Sequence, residues 1–316
     1  MSIGDSGAAA CPACRGPLSS WTTVPASEPA LAGQRYELLR CGRCGSAVTL
    51  GAGGPELHEH GAYRPGTPRL YGLANPLLGA FERQRLAWVR ELASPPARLL
   101  DAGAGRGRFL AAAAAAGYDA HGIEPSDRGI VAVREKRLDV RQATIEDAEI
   151  DERSVDIVTL WHVLEHVEHP AVALRRIHDW LRPDGGLIVG VPNLDSWQAR
   201  LGGPRWYHLD VPRHRSHFTP AGITILLMES GFEPVRTRHM VAEQNLFGMW
   251  QTLVNRLTRH PSYAYNALKR NAPLRSTDLA ITGLAMPVAL PAAVLELLAA
   301  ASGHGGTIAV TARRSG

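Results

Sequence analysis

Three sets of residues in this chain have the types and spacing to do chemistry. The first is Cys11-x-x-Cys14 with Cys41-x-x-Cys44, two turn-forming knuckles about 26 residues apart. Two thiolates from each knuckle can point at one metal. Together they make a closed tetrahedral four-sulfur site, suited to structural zinc and without an open position for catalysis. Redox dithiols are the rival reading, but a thioredoxin-like motif needs a larger fold of its own. The second set is the glycine-rich turn Asp101-Ala102-Gly103-Ala104-Gly105-Arg106-Gly107, with Glu124 roughly twenty residues on. Glycines let the backbone approach a nucleoside, and the later acid suits ribose hydroxyls. Asp101 does not fit a pyrophosphate site; a carboxylate there suits a cation such as an aminoacyl sulfonium. The third set is histidine: His162 and His166, then His208, His214 and His217 within Trp206–Phe218. Imidazole suits proton removal from an alcohol or phenol near neutral pH.

The elements that must hold these groups are legible in outline. Arg98–Asp101 and Ala120–Glu124 read as strands, with an alanine-rich helix from about Gly107 to Ala116 between them. Gly117 ends that helix, and Ser126 caps the next, which runs to about Arg137. Val140–Ala143, Val155–Leu160 and Leu187–Val191 follow as strands, with a helix over Pro170–Leu181 and a turn at Arg182–Gly186. Phe232–His239 and Thr307–Ala312 complete seven strands. Strands alternating with helices predict an α/β, Rossmann-like, doubly wound and mostly parallel sheet. A helix over Asn75–Leu92 precedes it, stopped by Pro95-Pro96. Tyr36–Arg40 reads as a strand feeding the second cysteine knuckle.

The 316 residues divide into a zinc-ribbon-like module at 1–55, a linker or lid at 56–74 and a main domain at 75–316. His58 and His60 in the linker read as exposed loop histidines. The stretch 240–305 is an insertion before the last strand, where an edge hairpin would need only a few residues. It holds an amphipathic helix (Leu246, Phe247, Trp250, Leu253, Val254, Leu257), basic Lys269, Arg270 and Arg275, and an apolar run from Leu279 to Ser302. Pro287, Pro291 and Glu296 argue against a simple membrane span. Two readings stay open: a monotopic membrane contact, or packing on the sheet or across a homodimer interface. The start Met1–Ala10 lacks the basic and apolar pattern of a signal peptide, so a cytoplasmic location is expected, with membrane association on the cytoplasmic face as its variant. A net charge of +4 and a pI near 9.0 favour anionic partners only weakly. Few Lys or Arg occur in the ribbon, which counts against a nucleic-acid partner.

In one register, Leu99–Gly107, His121-Gly122-Ile123-Glu124-Pro125, Val155-Asp156-Ile157-Val158, Leu164-Glu165-His166-Val167 and Leu181–Gly186 form a specific combination. Over about Leu99 to Val191 the chain resembles the class I S-adenosylmethionine-dependent methyltransferases, in particular the ubiquinone-biosynthesis O-methyltransferase branch. The resemblance implies that Asp101, Gly103 and Gly105 border the methionine part of S-adenosylmethionine and that Glu124 takes the ribose. It places adenine at Thr144, Ile145 and Glu146, although the family often has Asp where this chain has Thr144. It sets Trp161 and His162 toward the sulfonium and the acceptor.

His162, His166, His214 and His217 are the candidate catalytic residues. Cys11, Cys14, Cys41 and Cys44 are the metal ligands. His162-x-x-Glu165-His166 spells an inverted zinc-protease motif, but here it follows a buried strand. In the ubiquinone branch this locus binds a divalent metal through two carboxylates and a histidine. His162 replaces the first carboxylate, and a hydrogen-bonded scaffold is the competing role. The expected function is methyl transfer to oxygen of a small-molecule, natural-product or glycan/lipid-intermediate acceptor. The alternative is an RNA or protein methyltransferase whose ribbon grips a macromolecule.

Overall fold

The computed structural model describes residues 10–53 and 71–316. The expected linker at 56–74, with His58 and His60, lies outside them except for residues 71–74, which open the first helix. Two sheets organise the chain. The ribbon sheet begins with β1 (Leu18–Pro25), β2 (Arg35–Cys41) and β3 (Ala47–Thr49). The main sheet contains β4 (Arg98–Ala102), β5 (Asp119–Ile123), β6 (Val140–Arg141), β7 (Val155–Trp161), β8 (Leu181–Pro192), β10 (Phe232–Arg238) and β11 (Thr307–Arg314). Its order is β10-β11-β8-β7-β4-β5-β6. The five inner and leading strands pair parallel, while β11 joins β8 and β10 antiparallel.

The central strands are buried on both faces, so they read as near-continuous apolar runs. Leu99, Ile157, Val158, Leu160, Leu187, Ile188 and Val189 are all fully buried. Strand order reverses between β4 and β7, and ligands of open α/β sheets bind beyond the carboxyl ends at such a switch point. The Asp101 turn and His162 both stand there.

The helices are α1 (Tyr71–Arg90), α2 (Arg108–Ala115), α3 (Asp127–Glu135), α4 (Pro170–Trp180), α5 (Trp197–Gly202) and α6 (Pro220–Glu229). As its sequence predicts, α3 is capped by Ser126, whose Oγ accepts from the Gly129 amide at 3.1 Å. The insertion folds as α7 (Ala242–Asn255), α8 (Tyr263–Leu268), α9 (Ser276–Leu284) and α10 (Ala289–Ala301). No single described helix is long and apolar enough to cross a membrane; α9 and the Met286–Ala301 segment are bent from one another by 42°.

Two details depart from the expected elements. Arg182–Gly186 lies within β8 instead of standing as a separate turn, and the β7–β8 register shifts between Val155 and Ile157. Asp184 there has φ +64°, so the turn-forming residues appear as a local irregularity of the strand. Also, a two-residue strand, β9 (Ser216–His217), pairs with β3 and completes the ribbon sheet as β1-β2-β3-β9. The ribbon is therefore stitched to the main domain by a strand the main domain supplies.

Candidate active site

Cross-strand register builds the acidic end of the site. Asp101 on β4 lies opposite Thr159 on β7, and Thr159 Oγ1 donates to Asp101 Oδ1 at 2.7 Å. Asp101 is only 2% exposed. Burial pushes its carboxyl up to about 7, against the downward pull of the Thr159 hydrogen bond and the Arg85 guanidinium. The chain then turns through Gly103 at φ +81° and Gly105 at φ +55°. A Cβ at Gly103 would come within 2.4 Å of Val163 Cγ2, whereas one at Gly105 would meet nothing within 4 Å. Space therefore opens on the Gly105 side, where a ligand can approach the backbone. Glu124 closes the turn: its Oε2 accepts from the Gly105 amide at 2.7 Å and its Oε1 from the Ser126 amide at 3.0 Å.

Around Asp101 stands a charge network. Arg108, at the start of α2, donates to Glu82 of α1 and at 2.6 Å to Glu243 of α7; Arg85 donates to the same Glu243 oxygen at 2.9 Å. Glu243 sits below its ordinary range: burial alone would raise it, and Arg85 and Arg108 outweigh that. Apolar spacing was the only signal read from α1, so this cluster escaped sequence reasoning. The Glu82–Arg85 spacing of three residues on a helix was its one local trace.

The other expected cofactor residues fall in two places, Thr144–Glu146 after β6 and Trp161 at the end of β7. Ile145 is buried, and its carbonyl accepts from Arg176 Nε at 3.1 Å. Thr144 Oγ1 donates to Asp147, closing a local turn, and Glu146 is half-buried. Trp161 packs edge-on to Phe109 with centroids 5.6 Å apart, under the Arg85 guanidinium, and its buried Nε1 has no partner.

The histidines converge just beyond β7. His162 is held at φ +58°, a left-handed conformation that a non-glycine residue rarely adopts outside turns and functional sites. Its Nδ1 stands 3.1 Å from Glu165 Oε1, while its buried Nε2 and Glu165 Oε2 have no hydrogen-bond partner. The Glu165 carbonyl accepts from the Arg215 and Ser216 amides, which ties the Trp206–Phe218 loop to this corner. His214 Nδ1 is 2.8 Å from the His208 carbonyl, so its Nε2 is turned toward Glu165 Oε1 at 4.0 Å. His166 lies edge-on to His214 with centroids 4.6 Å apart. Burial, then the neighbouring His166 and His217, hold His214 well below the usual imidazole range. Glu165, His166 and His214 offer ligand atoms within 4.8 Å of one another. The fourth expected catalytic histidine, His217, sits in β9, pushed down to about 4 by burial, with Nε2 2.9 Å from Thr49 Oγ1.

A wall of aromatic side chains flanks the loop: Tyr207 lies 5.5 Å from Phe247 of α7 and 5.6 Å from Tyr265 of α8, centroid to centroid. Burial raises the Tyr265 phenol to about 12. The insertion thus returns to the site, which no local pattern in its sequence indicated.

The family model described as a methyltransferase domain matches residues 80–237. The chain belongs to the methyltransferase-domain family. This domain has the class I, S-adenosylmethionine-dependent fold. A ubiquinone biosynthesis O-methyltransferase of Azorhizobium caulinodans is 31% identical over 167 residues, covering 49% of this chain and 65% of that protein. One from Ruegeria pomeroyi is 28% identical over 198 residues, covering 58% of this chain and 79% of that protein. Among solved structures, a phospholethanolamine N-methyltransferase 2 of Haemonchus contortus shares the fold at 14% identity and a TM-score of 0.50, covering 74% of this chain and 52% of that one. The matched methyltransferase region excludes both cysteine knuckles, the whole of the insertion and the last strand.

Those cysteines form their own centre. Cys11 Sγ and Cys44 Sγ are 3.6 Å apart, Cys14 Sγ and Cys41 Sγ 3.5 Å, and all four are buried. Zinc–sulfur bonds of about 2.3 Å in a tetrahedron place sulfurs about 3.8 Å apart, close to what is observed. The knuckle rests on the methyltransferase domain: Thr219, the N-cap of α6, donates to the Cys44 carbonyl at 2.6 Å.

Proposed function

We propose that this protein transfers a methyl group from S-adenosylmethionine to an oxygen of a small-molecule, natural-product or glycan/lipid-intermediate acceptor. The observation that carries the reading is the meeting of His162, Glu165, His166 and His214 at the carboxyl end of β7, beside the Asp101 turn. When bound, S-adenosylmethionine supplies an electrophilic methyl. Asp101 and the backbone of Gly103 and Gly105 hold its aminoacyl part. Glu124 keeps lone pairs for ribose hydroxyls after accepting from the protein, and Thr144, Ile145 and Glu146 border the adenine, with Trp161 beside the turn.

His214 is the favoured proton acceptor. Its Nδ1–H is fixed by the His208 carbonyl, so its Nε2 carries the lone pair, and Glu165 Oε1, 4.0 Å from that nitrogen, can stabilise the imidazolium formed when it takes the proton. His162 and His166 position the acceptor, and His217, spent on Thr49, anchors the loop. The names of the relatives support oxygen as the target. A second reading follows from the Glu165–His166–His214 cluster: a divalent ion held there would lower the pKa of an acceptor hydroxyl. The four cysteines bind structural zinc.

The test is an activity screen with methyl-labelled S-adenosylmethionine against phenols, nucleotide sugars and lipid-linked glycans. Transfer to a hydroxyl, lost in His214→Ala while S-adenosylhomocysteine still binds, supports the proposal. Transfer to RNA or protein alone would replace it with the macromolecular alternative. Loss of activity with a chelator, restored by magnesium or manganese before zinc, selects the metal-assisted form.

A further inference from the structure

We propose that the outer face of the α9–α10 pair docks on an anionic lipid surface, lying in the bilayer interface without crossing it. The argument starts from an inversion of the usual helix pattern. Residues 276–301 contain two charged side chains, Asp278 and Glu296, and both are fully buried. Glu296 accepts from Gln198 Nε2 at 2.8 Å, Asn245 Nδ2 at 2.6 Å and the Gly306 amide at 2.8 Å. Asp278 accepts from the Arg259 amide at 2.9 Å and stands 2.6 Å from His260 Nδ1. The acids, with Ala292 and Ala299, therefore form the inner stripe. The outer stripe is apolar: Leu284 is 82% exposed, Leu290 74%, Leu298 56% and Leu297 55%. Of the seventeen large hydrophobic side chains exposed among the described residues, eight fall in this segment. An uncharged apolar patch of this extent marks an interaction surface.

Charge selects the occupant. From Gln244 to Gly316 the chain carries seven Lys and Arg and only those two acids. Arg256, Arg259, Arg270 and Arg275 are all exposed on the insertion, which from Gln244 onward has no exposed acid, so the apolar face belongs to a segment whose exposed charges are cationic. An apolar face on a cationic segment is the pattern that binds anionic headgroups and buries its side chains at the acyl boundary. A second copy of the chain would bring two cationic segments together. Crossing is disfavoured because the pair bends by 42° and the hydrogen bonds of Asp278 and Glu296 tie its inner stripe to the domain.

The experiment is flotation of the full-length zinc-loaded protein with vesicles of phosphatidylcholine alone or with phosphatidylglycerol. Co-flotation is expected on the anionic vesicles, roughly fivefold weaker on neutral ones and weakened by salt. Leu284→Glu/Leu290→Glu should abolish it, and Arg270→Gln/Arg275→Gln should reduce it on anionic vesicles only. S-adenosylhomocysteine binding and zinc content, unchanged in both variants, confirm that they fold. Absence from both vesicle types, equal binding to both, or wild-type flotation of the leucine variant overturns the proposal. A concentration-dependent dimer lost in the leucine variant, without vesicle binding, assigns the face to a second copy. None of these outcomes depends on which acceptor is methylated.

Discussion

Asp101→Asn separates what the buried carboxyl costs the fold from what it does for the ligand. In the folded protein this group lies at about 7 instead of 3.8, with burial the main cause. A folded-state pKa raised above the unfolded one means that the native state holds more protons between pH 4 and 7. Stability therefore falls as pH rises through that window. At about 1.4 kcal/mol for each tenfold change, the gap corresponds to at most roughly 4 kcal/mol by pH 8. Asparagine keeps an acceptor for Thr159 Oγ1 and removes the charge. Thermal melts of ligand-free protein should show wild type and variant close at pH 5, with the variant several degrees more stable at pH 8. Binding should move the other way. The ammonium of S-adenosylhomocysteine favours ionised Asp101, so wild-type affinity should fall about tenfold from pH 8 to pH 6. Calorimetry at the two pH values reads this directly. A wild-type affinity independent of pH, or an equal dependence in the variant, would refute the assignment of a cationic ligand group to Asp101.

Gly103→Ala should abolish S-adenosylhomocysteine binding and cost about 1–3 kcal/mol in denaturant melts, because its Cβ would meet Val163 at 2.4 Å and its φ is +81°. Wild-type affinity would show that the turn does not form the cofactor wall. Purified protein should carry one zinc per chain by elemental analysis, and Cys14→Ser should lose it. Because β3 pairs with β9, that loss should speed amide exchange at His217; unchanged exchange would separate ribbon from loop. Glu243→Gln removes one of the two carboxylates that Arg85 and Arg108 share and leaves Glu82, so stability should fall by about 1–3 kcal/mol; a neutral result would show that Glu82 and solvent replace it.

The parallel core was legible because strands buried on both faces leave apolar runs bounded by turn residues, as Val155–Trp161 and Leu187–Val191 do. The cysteine centre was legible because metal geometry demands two close pairs. The Asp101–Glu124 half of the site was readable because both residues end adjacent parallel strands, a local relation of about twenty residues. What escaped was brought together by tertiary folding. Ala47 pairs with His217 across most of the chain, and a two-residue strand leaves no period to detect. Glu243 belongs to a helix whose sequence shows only amphipathicity, and Tyr265 to a six-residue helix with no pattern of its own. The apolar run from Leu279 to Ser302 was visible, but Met286–Val288 breaks it and only the structure shows its acids facing inward.

The ribbon and the insertion, separated by nearly the whole methyltransferase domain, attach to one loop. Glu28, just after β1, accepts from Arg213 Nη1 at 2.6 Å and from Asn271 Nδ2 at 2.9 Å, with Glu28 and Arg213 both buried. Asn266 of α8 donates to the Ser27 carbonyl at 3.2 Å. Arg213 also grips Asp210, so the segment bearing His208, His214 and His217 is held from both sides. A buried ion pair is a weak source of net stability but fixes one arrangement strongly, since losing either partner strands a charge. The cysteine knuckle, through the Thr219 bond to the Cys44 carbonyl, and the insertion, by supplying Asn266 and Asn271, therefore bear on the same histidine-rich loop. Three segments thus meet at this loop, whereas the turn at Asp101 is built on adjacent parallel strands, with Glu243 of α7 reaching the charge network beside it.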